Sequence, residues 1–192
     1  MKKLLIFFLP AILLGCDSPA YRNPLDVAFG DPFILHAADG KFYMYGTSGD
    51  IRGFRVCVSD DLVTWQKGDV VYDGNASAWG TDCFWAPEVY ERDGKYYFMW
   101  SENDTRSANY RVRYLISESP TEFIRNGKPA RQERAIVIQQ DPSKGIYGTG
   151  HHSILRKPQS DEWRIVYHRF ARPDAVSYTH LRAHETRSNL VC

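Results

Sequence analysis

Asp39-Gly40-Lys41-Phe42-Tyr43-Met44-Tyr45 and Asp93-Gly94-Lys95-Tyr96-Tyr97-Phe98-Met99-Trp100 are two versions of one pattern, a turn dipeptide running into a strand-forming aromatic run. Asp-Gly between short alternating segments predicts a type I′ hairpin at both places. Working outward, each hairpin has an opening segment and a following strand. The first unit opens with Asp31-Pro32-Phe33-Ile34-Leu35-His36 and ends with Phe54-Arg55-Val56-Cys57-Val58-Ser59. The second opens with Pro87-Glu88-Val89-Tyr90-Glu91 and ends with Tyr110-Arg111-Val112-Arg113-Tyr114-Leu115-Ile116-Ser117. A third begins with His152-Ser153-Ile154-Leu155 and continues in Asp161-Glu162-Trp163-Arg164-Ile165-Val166-Tyr167. Repeats of roughly 50 residues, each a meander of short strands with no sustained helical period, predict an all-β chain of β-propeller blades rather than a sandwich. In such blades the innermost strands line a central channel, and their first residues converge at one mouth.

Ahead of the repeats, Lys2 and Lys3 precede the apolar run Leu4 to Leu14 and then Gly15-Cys16. A basic start and a short apolar run predict a secretory signal over 1–15, too short for a spanning helix. Leu13-Leu14-Gly15-Cys16 resembles the bacterial lipobox, so Cys16 is the expected lipidation site and 16–28 a tether. The expected location is the bacterial cell envelope, lipid-anchored, with the membrane as a partner. With 24 Lys+Arg against 23 Asp+Glu, the chain offers no electrostatic case for nucleic acid. Aromatic residues make up 14% of it, which suits strands and the stacking of flat rings on sugar faces. In an oxidising envelope Cys57 and Cys83 form either a disulfide or two free thiols.

Gly30-Asp31-Pro32-Phe33-Ile34-Leu35, Ser59-Asp60-Asp61-Leu62-Val63-Thr64-Trp65, Phe84-Trp85-Ala86-Pro87-Glu88-Val89-Tyr90 and Gly148-Thr149-Gly150-His151-His152-Ser153-Ile154 follow one another in this order. Together they resemble glycoside hydrolase family 43, the five-bladed propellers that include arabinanases, arabinofuranosidases and xylosidases. The resemblance spans about 29–170. It implies hydrolysis of O-glycosidic bonds in arabinose- or xylose-containing polysaccharides by inversion, with an Asp base, a second Asp that tunes it, and a Glu acid. Asp31 matches the base. Inversion needs an ionised carboxylate that holds a water opposite the leaving group, with the acid about 6.5–9.5 Å away.

Glu88 matches a position lining the substrate site and is a candidate for substrate contact or for the acid; Glu102 is an alternative acid. Phe84 and Trp85 are expected sugar platforms, with burial between blades as the alternative. Of the adjacent His151 and His152, only one can face the channel. His152 is the expected one, holding substrate or a structural calcium; no other cofactor is implied. Trp65, Trp163, Tyr167 and His168 are expected to pack blades.

The family's second Asp and its Glu-Gly-Pro acid have no match here. Asp141-Pro142 lies in the polar loop Gln139-Gln140-Asp141-Pro142-Ser143, and the second unit passes from a second-blade opening into Tyr96 to Glu102, which resembles a fourth blade. The expectation is therefore a partial propeller over 29–173, about three blades, with impaired activity. A tail at 174–192 lacks strand alternation, resembles translated adaptor sequence, and makes no metal site of His180, His184 and Cys192. Two other functions remain. A fructan hydrolase would open with Asn-Asp-Pro, which Gly30-Asp31-Pro32 lacks; a non-catalytic surface glycan-binding lipoprotein would keep the aromatic platforms without an acid.

Overall fold

The first unit closes into a four-stranded antiparallel sheet of β1 (Gly30–His36), β2 (Phe42–Thr47), β3 (Gly53–Ser59) and β4 (Gln66–Asp73), paired in chain order. The second contains β5 (Cys83–Arg92), β6 (Lys95–Asp104) and β7 (Asn109–Ser117). A small hairpin of β8 (Ile124–Arg125) and β9 (Lys128–Pro129) follows, and β10 (Ile136–Gln139) returns to complete the sheet in the order β10-β7-β6-β5. A 3₁₀ turn at Pro142–Lys144 leads to the third unit, the hairpin β11 (Tyr147–Arg156) and β12 (Trp163–Phe170). This computed structural model describes residues 25–75, 83–104, 109–125, 128–129 and 136–170. The described residues are all-β but for that 3₁₀ turn, and their sheets are blades of a β-propeller, about three of them. The expected signal, Cys16 and the tail at 174–192 lie outside the described residues.

The two Asp-Gly turns differ. Arg92 pairs with Lys95, and Asp93 and Gly94 both take positive φ, 52° and 69°, as a two-residue type I′ turn requires. At the first turn only Gly40 is left-handed, and Ala37 donates to the Lys41 carbonyl at 3.0 Å. That closes three residues, not two, so the type I′ expectation at Asp39-Gly40 is corrected to a longer loop with glycine at its left-handed position. Asp39 instead turns its carboxylate to Tyr43 Oη (2.6 Å) and to the Lys41 N–H (3.0 Å).

The middle strand of the second blade shows how the blades stack. Along β6, Tyr96, Phe98 and Trp100 alternate with Tyr97 and Met99, so one strand serves two interfaces. The first set joins Tyr45, Phe54, Tyr72, Phe84 and Phe123 in the core between the first two blades. Phe98 lies over Phe123 (centroids 4.6 Å) and Tyr72 over Trp100 (4.6 Å), while Phe54 meets Phe84 edge-on at 90°. The second set packs with Ile154, Ile165 and Trp163 against the third blade. Each such side chain contributes about 1.5–3 kcal/mol by burial, and the aromatic pairs add about 0.5–1.5 kcal/mol each. The first interface is therefore the stronger. Trp163, set edge-on to Tyr90, packs as expected from its sequence context. Cys57 and Cys83 are not joined to each other, so the disulfide alternative does not hold.

Candidate active site

Each inner strand opens with the same irregularity. Gly30 pairs with Thr47 but Phe33 with Tyr45; Trp85 pairs with Ser101 but Glu88 with Met99; Gly150 pairs with His168 but Ser153 with Val166. In all three, the inner strand carries one residue more than its partner. The residue after the first pair is left-handed: Asp31 (φ 47°), Ala86 (φ 47°) and His151 (φ 43°). A one-residue bulge re-aims side chains, and it leaves a place without a ladder donor, which Pro32 and Pro87 fill. Positive φ without glycine costs about 1–2 kcal/mol, so something must hold these residues.

Hydroxyls on the second strands do so. Thr47 Oγ1 accepts the Ala86 N–H at 2.9 Å, and Ser101 Oγ accepts the His151 N–H at 2.6 Å. Thr47 and Ser101 occupy equivalent places in the register, and each holds the left-handed residue of the next blade. Thr47 has a further role, because its own hydroxyl donates to Asp31 Oδ2 at 2.8 Å. The Asp31 side chain is exposed.

Glu88 stands two residues beyond Ala86 and is half-buried. The Tyr90 hydroxyl donates to its Oε2, as does the Ile154 N–H at 3.2 Å from the third blade. Burial pushes the Glu88 carboxyl above the usual range, against the pull of these donors and of His151 nearby. Of two carboxylates on neighbouring inner strands, one is exposed and one tends to keep its proton.

The other candidates fall differently. Trp85 is 37% exposed and free to meet a ligand, whereas Phe84 is 6% exposed and belongs to the inter-blade core. Phe84 as a sugar platform is therefore corrected to a packing residue, because alternation puts adjacent residues on opposite faces. His152 is 1% exposed, and burial holds its imidazole down to about 3. No substrate can touch it, and His151, exposed and aligned with Asp31, takes the place expected of His152. Glu102 is enclosed, with its carboxylate against Arg111 Nε (2.6 Å), Arg113 Nε and Trp100 Nε1 (3.2 Å). A side chain with no exposed surface cannot hand a proton to a glycosidic oxygen, so Glu102 is corrected to a core ion cluster. Asp141 lies in a loop, as expected, paired with Lys144 at 2.7 Å.

Residues 21–127 and 86–187 both match the profile of glycosyl hydrolases family 43. The chain belongs to this family. The two family 43 matches overlap over 86–127, the unit whose opening and continuation resemble different blades, and the second runs past residue 173. Among curated relatives, a probable arabinan endo-1,5-α-L-arabinosidase C of Aspergillus clavatus is 33% identical over 108 residues, 52% of this chain and 33% of that protein. A β-D-galactofuranosidase of Aspergillus niger is 27% identical over 142 residues, 72% of this chain and 36% of that protein. The chain thus spans about a third of the length of these relatives. Among solved structures, an endo-arabinase from Bacteroides thetaiotaomicron superposes with a TM-score of 0.58 at 23% identity, over 75% of this chain and 46% of that one. That likeness confirms the propeller fold.

A family 43 calcium finds little to hold it among the described residues. No group of three His, Cys, Asp or Glu lies together there. Calcium takes six to eight oxygen ligands, whereas His152 offers only ring nitrogens, both enclosed, so this side chain does not itself suit such an ion. Sequence reasoning missed Thr47 and Ser101. Their signal was present in the repeat, where Gly46-Thr47 and Trp100-Ser101 both close an aromatic strand with a small hydroxyl.

Proposed function

We propose that the chain hydrolyses O-glycosidic bonds in arabinose- or xylose-containing polysaccharides with inversion, and that Asp31 is the general base. The observation that carries this is the Asp31 carboxylate, exposed on a left-handed residue at the start of β1 and held by Thr47. An ionised carboxylate so placed can orient a water and take its proton as the water attacks the anomeric carbon. Family membership and the activities named for the fungal relatives support the substrate class. Glu88 is the acid or a substrate contact: its raised affinity for a proton suits an acid, and its bonds to Tyr90 and Ile154 suit a rigid contact. Trp85 offers a ring for a sugar face. The protein works in the bacterial envelope, lipid-anchored at Cys16.

Activity on the natural polymer is impaired. The Glu-Gly-Pro segment that carries the acid in the family has no match in this sequence, and Glu88, tied to Tyr90 and Ile154, is left as the candidate for leaving-group protonation. General acid catalysis is worth about 10²–10⁴-fold, so a polymer that needs leaving-group protonation suffers most, and an activated aryl glycoside least. The test is to assay the chain, Asp31→Asn and Glu88→Gln on arabinan and on 4-nitrophenyl α-L-arabinofuranoside, reading the first-formed anomer by NMR. Expected are slow aryl cleavage with inversion, a drop of about 10² or more in Asp31→Asn, and little arabinan turnover. Turnover in Asp31→Asn equal to wild type would sink the assignment. Rapid cleavage of arabinan would remove the impairment, and tight binding of arabinan without any cleavage would turn the reading to a glycan-binding protein.

A further inference from the structure

We propose that Thr47 is the positioning residue of Asp31, and that it ties the carboxylate's orientation to the docking of the second blade. The inference rests on Asp31 being the base. A threonine hydroxyl has one proton and two lone pairs. In this structure one lone pair receives the Ala86 N–H, at 2.9 Å, and the proton goes to Asp31 Oδ2, at 2.8 Å. The two bonds depend on each other. A donor fixed against the oxygen removes the rotation by which the hydroxyl would otherwise turn its proton away, and a chain of N–H to O–H to carboxylate polarises in one direction. The β-branched side chain adds stiffness about χ1, and Thr47 lies directly opposite Gly30, the residue before Asp31.

Ser101 supplies the comparison. It holds the His151 N–H from the equivalent place on β6, but the left-handed residue of its own blade is Ala86, which has no carboxylate. Docking is common to both hydroxyls; orienting a carboxylate belongs to Thr47 alone. A purely structural Thr47 and a positioning Thr47 therefore differ in one readout, the state of Asp31.

The experiment is NMR of the full chain, labelled with ¹³C at the aspartate carboxyls and with ¹⁵N, with Asp31 assigned by the signal lost in Asp31→Asn. Thr47→Val should move the Asp31 ¹³Cγ resonance and the Ala86 amide, and Thr47→Ser should bring both back close to wild type. Ser101→Ala should move the His151 amide and leave the Asp31 carboxyl where it is. Asp31→Ala should shift the Ala86 amide, which Asp31 does not itself touch, because the freed hydroxyl proton no longer points away from it. On the aryl arabinofuranoside, Thr47→Val should lower kcat about 10-fold or more with KM changed by less than about 2-fold, and Thr47→Ser should recover most of it. An Asp31 carboxyl unmoved by Thr47→Val, or moved as much by Ser101→Ala, overturns the proposal. If Thr47→Val does not fold, the response of the Ala86 amide to Asp31→Ala decides, and no response overturns it. Should the resonances behave as expected while Asp31→Asn keeps full turnover, the base assignment fails and the link stands. If Asp31→Asn abolishes turnover and the resonances stay uncoupled, the reverse holds.

Discussion

The His151 N–H ends on Ser101 Oγ at 2.6 Å, joining two residues fifty positions apart and fastening the third blade to the second. The interface around it is the weaker of the two, resting on Met99, Ile154 and Ile165 with their partly buried neighbours. Ser101→Ala leaves that N–H without its acceptor, a loss of about 1–3 kcal/mol. Amide exchange in β11 should accelerate by about 10-fold or more, with the amides of β2 and β3 unchanged. Uniform acceleration across all three blades would show that the third blade does not open separately.

Glu102 and its arginines are an all-or-nothing cluster. The carboxylate has no exposed surface, and the Arg111 and Arg113 side chains are 11% and 8% exposed. Glu102→Gln takes the shared negative charge from Arg111 and Arg113 and should cost about 3–5 kcal/mol, read as a lower midpoint in urea. Replacing Glu102, Arg111 and Arg113 together by Leu, Met and Met should recover much of that loss. A Glu102→Gln protein as stable as wild type would contradict the buried charge cluster.

His152 makes stability depend on pH. Its folded-state imidazole is held down to about 3, chiefly by burial and secondly by His151, so it stays neutral while the unfolded chain takes a proton near the ordinary 6.5. Because the folded value is the lower, this contribution is complete above about pH 6.5 and is lost as pH falls towards about 3, at about 1.4 kcal/mol per pH unit. His152→Leu should remove that slope. The wild-type and variant stabilities, measured in urea across this range, should keep a constant difference above pH 6.5 and shift in the variant's favour below it. A constant difference throughout would show that His152 does not carry the linkage.

The repeat was legible because hairpin chemistry and alternation are local: Asp93-Gly94 announces its turn, and Tyr96 to Trp100 announces two faces. The place of Asp31, exposed at the start of the first inner strand, was legible through its motif. His152 was misassigned because alternation fixes relative facing but not its phase, and a bulge adds a residue that resets the phase. Aligning Gly30-Asp31-Pro32 with Gly150-His151-His152 carries that phase across the blades and makes His151 the counterpart of Asp31. Glu102 misled for another reason. An acidic residue near a predicted mouth suggests chemistry, and only the register reveals that Arg111 sits directly across from it. Thr47 carries no motif of its own, since its role needs a second blade beside it.

The expected anchor has a direct test. Cys16→Ser should move the protein from the membrane fraction to the soluble envelope fraction. One acyl chain binds a membrane only marginally, so the native tether should require more than one chain. An unchanged distribution would mean that the anchor is not at Cys16.

The hydroxyl fastening has an evolutionary reading. Thr47 on one unit and Ser101 on the next present the same socket, and Ala86 and His151 bring the same plug. A recombination event that excises or duplicates the second repeat in register rejoins a socket to a plug: Thr47 then meets His151, or Ser101 meets a second Ala86. The aromatic faces must then adapt by ordinary point substitution, but the junction itself survives the first generation. Such an exchange changes the number of repeats in a single step while each new junction keeps an acceptor for its N–H.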